Sequence, residues 1–233
     1  MTNDEKLKIF QAQTENVKAL ETSFKLVSQA INNHLRKNDL ATAQKFTFIA
    51  ALTFSAYAEA MFSKLIHTPH AFNLEEIKSI KNKTTTADKW KQAVRIGITK
   101  ISTSCKHNHK TNLNQKIDVM IDTHIAEPAI IRNKIAHGQW AVALNSKNTN
   151  IHAGTTNRIS NLDIIKVTLW KKSFSFFYKI VNDIIQSPNK AHFNDYYNHL
   201  TELEEYIQKT MHYNLDDKIT KLQAKLPESK LEA

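Results

Sequence analysis

Apolar residues recur at intervals of three and four along most of this chain, the spacing that lines one face of an α-helix. In residues 3–36, Leu7, Phe10, Thr14, Val17, Leu20, Phe24, Val27 and Ile31 fall on such a stripe and predict a long amphipathic helix. Asn38 or Asp39 is suited to cap a second helix, running to residue 67 before Pro69. That segment is apolar on nearly every face, which predicts a helix at the centre of a bundle. A short helix is expected over 72–80, with Asn73 as cap and Glu75 and Glu76 at its positive end, and another over 87–101. Residues 102–112 are polar and read as a loop. Leu113, Ile117, Met120, Ile121 and Ile125 define a further helix, which Pro128 either kinks or follows with the first turn of a new one. This last piece is expected to end at His137, because Gly138 suits a left-handed C-terminal cap.

After Gly138 the period changes. Trp140, Val142 and Leu144 alternate, residues 145–150 are turn-rich and Ile151 begins an apparent return, so a small β-hairpin is predicted over 139–156. Helix resumes at Asn161, with Leu162, Ile165, Leu169, Trp170 or Lys172, Phe176, Phe177, Ile180 and Ile184 on its buried side. Pro188 closes it, and one further helix, then a short one after Asn214, completes the chain. The fold class is therefore all-α: a bundle of long antiparallel helices over 1–187 and a helical extension over 188–233. Three Gly and four Pro in 233 residues are too few for the turns of an all-β fold.

Composition narrows this further. With 41% hydrophobic and 23% charged residues the chain has the balance of a globular protein, not of a disordered one. The net charge of +10 attracts polyanions, and since most of it is Lys, it favours non-specific phosphate attraction. Cys105 is the only cysteine, so no intramolecular disulfide is expected. Residues 46–62 come nearest to a membrane span, but Thr47, Thr53, Ser55, Tyr57 and Glu59 interrupt them, so a buried core helix is expected and no membrane partner. The N-terminal residues lack the apolar core of a signal peptide, and a cytoplasmic location is expected. Cys105, His107 and His109 read as solvated loop residues; neither a metal nor another cofactor is expected.

One string carries chemistry: Ile130-Ile131-Arg132-Asn133-Lys134-Ile135-Ala136-His137-Gly138. Two isoleucines of buried type precede the Arg, Asn follows it, and His closes the helix directly before a capping Gly. This string resembles the signature of HEPN domains (higher eukaryotes and prokaryotes nucleotide-binding), which is Arg, four to six residues, then His, often with Asn after the Arg. The resemblance is strong over these residues and extends loosely, as helical layout, over 1–187. It implies a helical bundle that dimerises so that two motifs face each other. It also implies metal-independent RNA cleavage, often by toxins paired with a cognate antitoxin or by anti-phage defence effectors.

The residue chemistry is compatible with that role. Cleavage by the RNA 2′-hydroxyl needs a base, an acid for the leaving oxygen and positive charge on the transition state. His137 suits proton transfer, Arg132 the phosphate, and Asn133 the orientation of either. The nucleophile already resides in the RNA, so no metal is required. Asn133 and His137 share a helix face, whereas Arg132 lies about 100° round from Asn133. A homodimer axis beside this helix would gather two of each into one cleft. Glu59, the only charge between Lys45 and Lys64, is expected to be buried and to pair either with Arg132 or His137 or with some Lys. Lys134, Lys171 and Lys172, with Lys81 and Lys83, are placed to guide RNA phosphates. Trp170, Phe174, Phe177, Tyr178 and Val181 read as core or dimer interface. The competing reading makes Arg132 and His137 ornaments of a helix end, or the chain a non-catalytic nucleotide-binding or protein-interaction module.

Overall fold

The computed structural model describes residues 2–102 and 108–225, and every regular element among them is helical. α1 (Asn3–Arg36) opens with a capping box in which Thr2 accepts from the Glu5 amide and the Glu5 carboxylate returns to Thr2. A tight turn through Asn38, at φ 56°, reverses the chain. Asp39 then caps α2 (Leu40–His67), accepting from the Thr42 amide. The two long helices form a hairpin that is the largest packing unit of the molecule.

The remaining layers assemble against this hairpin. α3 (Leu74–Lys81) begins at the expected Asn73 cap, and α4 (Thr86–Thr99) follows. α5 (His109–Ile121) passes into a π-helical segment, Asp122–Ala126, and then into α6 (Glu127–Ala136). Pro128 is thus in the first turn of a new helix, and the chain adjusts ahead of it by widening one turn rather than by breaking. α7 (Ala153–Ser160), α8 (Ile164–Gln186), α9 (Ala191–Thr210) and α10 (Leu215–Gln223) complete the fold. α10 begins at the expected Asn214 cap.

α2 is long and apolar enough to cross a membrane by length and composition, yet in the structure it packs against α1, α6 and α8. Burial on several faces explains its lack of a polar stripe. At its centre Phe54 and Tyr57 meet Phe174 of α8 edge-on, and Trp90 of α4 tilts against Phe177 at 5.1 Å. These rings supply a large share of the buried apolar area. Tyr196, Leu200 and Leu203 of α9 enter the same core, joining the C-terminal helices to it.

Close approach of α4 to α8 depends on Gly97. A Cβ there would lie 3.0 Å from Ile185 Cγ1 and 3.2 Å from Ile184 Cγ2. Gly97→Val is therefore expected to lower stability by about 1–3 kcal/mol through overpacking, measured as a shift in the urea midpoint.

The hairpin expected over 139–156 is reduced to one isolated antiparallel bridge, Leu144 with Ile151, and no strand occurs among the described residues. Two causes are visible. The alternating residues do not share a buried face: Ala143 is fully buried, whereas Trp140, Val142 and Ile151 are exposed. The would-be second strand is also cut short by α7, which His152 caps by accepting from the Thr155 amide at 3.2 Å.

Candidate active site

α6 holds the motif. Its C-terminus is a Schellman arrangement: the Gln139 amide donates to Lys134 O at 2.9 Å and the Gly138 amide to Ile135 O at 3.1 Å. Gly138 has φ 76°, as its place just past the helix requires. Nothing lies within 4 Å of a Cβ built there, so Gly138→Ala adds only backbone strain. That strain is expected to cost about 1–2 kcal/mol, read as a lower thermal midpoint. The Trp140 indole N–H donates to Ile135 O at 2.9 Å, and its ring meets Phe48 edge-on, anchoring the chain after the motif.

Ile131 and Ile135 point into the core, and Arg132 lies beside them at the edge of the buried face. Its guanidinium pairs with the Glu59 carboxylate of α2, tying α6 to the central helix. The sequence left Glu59 between Arg132 or His137 and a lysine; the structure joins it to Arg132. It corrects the expected burial, because the Glu59 side chain is 53% exposed and the Arg132 side chain 25%. α2 reaches the surface here, so water shares the solvation of the carboxylate. Arg132 Nε is buried and makes no hydrogen bond.

Asn133 and His137 occupy the opposite, exposed face of α6 together with Ile130. Arg132 and His137 of one chain are therefore separated by roughly 140° around the helix, five steps of about 100°. One copy of the motif does not enclose a phosphate between its own Arg and His.

The lysines divide. Lys134 donates its ammonium to Leu144 O at 2.5 Å, so it fastens the loop after the motif. Lys171 lies over the Tyr57 ring at 4.9 Å and the Phe24 ring at 5.2 Å, 3.9 Å from Glu21. Burial holds its pKa below the ordinary lysine value. Lys172 covers Phe176 at 5.0 Å. Lys81 donates to His67 Nε2 at 3.1 Å, and Lys83 is exposed. Each ring-bound ammonium gains cation–π attraction, so these side chains serve the fold whatever else they do.

His124 was not singled out by the sequence. It sits in the π segment and lines a cavity of about 30 Å3 together with Glu59, Trp90, Pro128, Arg132 and Trp170. The space suffices for a water molecule. Burial lowers the His124 pKa, keeping the imidazole neutral at pH 7. Only the widened turn marks this residue, and hydrophobic periodicity does not reveal such a turn. A wider cavity of about 300 Å3 lies away from the motif, between Leu35, Ala43, Leu162 and Leu215. Asp163 on its wall is occupied in capping α8, accepting from the Lys166 amide at 2.8 Å.

Cys105 and His107 lie outside the described residues. Among the described residues no cluster of three or more His, Cys, Asp or Glu is arranged to hold a metal ion. No family model matches the chain, and no curated protein or solved structure matches it.

Proposed function

We propose that this protein is a metal-independent endoribonuclease of the HEPN type, working as a cytoplasmic homodimer in toxin–antitoxin or anti-phage defence. The observation that carries this reading is the division of labour on α6. Arg132 is held in place by Glu59 at the edge of the core, while Asn133 and His137 stand free on the outer face. A held guanidinium keeps its charge and direction, as stabilisation of a phosphorane-like transition state requires. A free imidazole at a surface can reach a substrate and exchange protons with it.

Separation of Arg132 from His137 around the helix favours a site built by two copies. Ile130, Trp140, Val142 and Ile151 are exposed on α6 and the loop after it, apolar surface suited to such a contact. In the two-copy site one His removes the 2′-hydroxyl proton, and the 2′-oxygen attacks phosphorus. The P–O5′ bond breaks, and the imidazolium so formed returns its proton to the 5′-oxygen. The products are a 2′,3′-cyclic phosphate and a 5′-hydroxyl. Net charge of +10 favours encounter of the protein with RNA.

The test is incubation of the purified chain with total RNA in EDTA. Cleavage that survives chelation and disappears in Arg132→Ala and in His137→Ala supports the enzyme. Intact RNA with persistent binding would instead establish a non-catalytic binding module.

A further inference from the structure

α5 and α9 each bring a histidine to one point on the far side of the bundle core. His109 Nε2 and His192 Nε2 lie 3.4 Å apart although 83 residues separate them in sequence. We propose that His109 and His192, with their Nε2 atoms 3.4 Å apart beside a cavity that His109 lines, bind one divalent ion of the Zn2+ class and thereby clamp α5 to α9.

The separation is the first reason. Two imidazole nitrogens at about 2.0–2.1 Å from a tetrahedral ion stand roughly 3.4 Å from each other. At 3.4 Å the pair stands at the long end of hydrogen-bonding distance. The Nδ1 of His192 is buried without a hydrogen-bond partner, and its Nε2 is the ring nitrogen that meets His109.

Ring placement is the second. His109 stacks on Phe193 with planes 27° apart, and His192 packs against Phe193 and Tyr196. Both imidazoles are therefore oriented before an ion arrives, which removes much of the ordering cost of ligation. His192 is 1% exposed, and burial, reinforced by His109, lowers its pKa to about 4. It is neutral at pH 7, the form that ligates a metal.

Room and charge are the third. On the His109 side of the pair, His109, Asn112, Lys116, Tyr196 and Tyr197 line a cavity of about 260 Å3, room for waters that would join the shell of an ion. Among the described residues Lys116 is the one cation on this wall, and its ammonium is 3.7 Å from Glu204, which offsets its repulsion of an ion. Two imidazoles select Zn2+, Cu2+ or Ni2+ over Mg2+ and Ca2+, which prefer oxygen. The site is on other elements than Arg132 and His137 and is independent of the ribonuclease reading.

The experiment uses the full chain, stripped with EDTA and dialysed, and titrated with ZnCl2 by calorimetry. Wild type is expected to bind one ion per chain, and Co2+ in its place to give the visible absorption of a tetrahedral site. His109→Ala and His192→Asn are each expected to weaken Zn2+ at least tenfold and to abolish the Co2+ band. His109 is only half-buried at a helix start, so its variant keeps the test valid if His192→Asn fails to fold. Zinc should also raise the Tm of wild type and leave that of His109→Ala unchanged. Stoichiometric binding undiminished in His109→Ala, or no binding by wild type, overturns the proposal.

Discussion

Arg132→Ala and His137→Ala chains are each expected to cleave RNA on the order of a thousandfold more slowly than wild type, yet to regain activity when mixed. The recovery is expected if, as proposed, each catalytic pair takes an Arg from one subunit and a His from the other, the arrangement that the roughly 140° between these residues on α6 favours. A mixed dimer then has one intact pair and one doubly damaged pair. With random exchange half the molecules are mixed, so about a quarter of wild-type activity returns. Subunits are mixed after brief mild denaturation, and the cyclic-phosphate product is followed over time. If the mixture stays as inactive as its components, the pairing across subunits is wrong. Glu59→Gln adds a control: it leaves the chain neutral at a group that holds Arg132, and its loss should be smaller than that of either motif variant.

Acid is expected to unfold this protein well above the range in which carboxylates alone would do so. His192 has a folded pKa of about 4 against an ordinary value of 6.5, and burial moves His67 and His124 in the same direction. Below pH 6.5 the unfolded chain takes up protons that the folded chain refuses, so stability falls as pH falls through that window toward 4. His192 alone contributes up to about 3 kcal/mol over this interval. His67 is 1% exposed and adds to it: its Nδ1 donates to Ser63 O while its Nε2 accepts from Lys81, and a proton on Nε2 would set two cations against each other. Asp183 opposes the trend weakly, since burial raises its pKa. Urea titrations at pH 7, 5.5 and 4.5 should show a steep decline that His192→Gln flattens. A stability unchanged between pH 6.5 and 4.5 would contradict this account.

Several helix boundaries in this chain were readable from their caps, although the Asp163 cap of α8 and the His152 cap of α7 were not. Asn73, Asn214 and Gly138 all stand where the sequence placed them, because capping is local chemistry between neighbours. Which face of a helix turns inward was less legible. In α8 Phe174, Phe176, Phe177, Ile180, Val181 and Ile184 are buried as expected, whereas Ile164 and Val167 are buried in place of the chosen Ile165 and Leu169. Apolar residues surround that helix so densely that several stripes compete, and packing against Trp90 and Phe54 decides among them. In α1 the expected Leu7 is exposed and Lys6 is buried, its ammonium donating to Phe72 O at 2.6 Å. No periodicity announces a lysine used in this way. α7 was missed for a related reason: its short, Thr-rich sequence has little helical preference and depends on the His152 cap and on Arg158 pairing with Glu127.

At the candidate site, Arg132, Asn133 and His137 were legible as a string, and their opposite orientations follow from helix geometry. The partnership of Glu59 with Arg132 was one of two readings, and packing decided it. His124 and the facing pair His109 and His192 were illegible, because a widened turn and a contact across 83 residues leave no trace in local spacing.

The π segment Asp122–Ala126 bears on how this chain tolerates change in length. Such a segment is an α-helix carrying one residue more than its turns require. Removing Thr123, an exposed residue of that surplus turn, would rewind the helix and rotate everything downstream by about 100°. Ile131 and Ile135 would swing out of the core, and the guanidinium of Arg132 would leave the carboxylate it now meets. The phase of the motif is therefore written in a single surplus amino acid nine positions before Arg132, and insertions or deletions there act like changes to the motif itself.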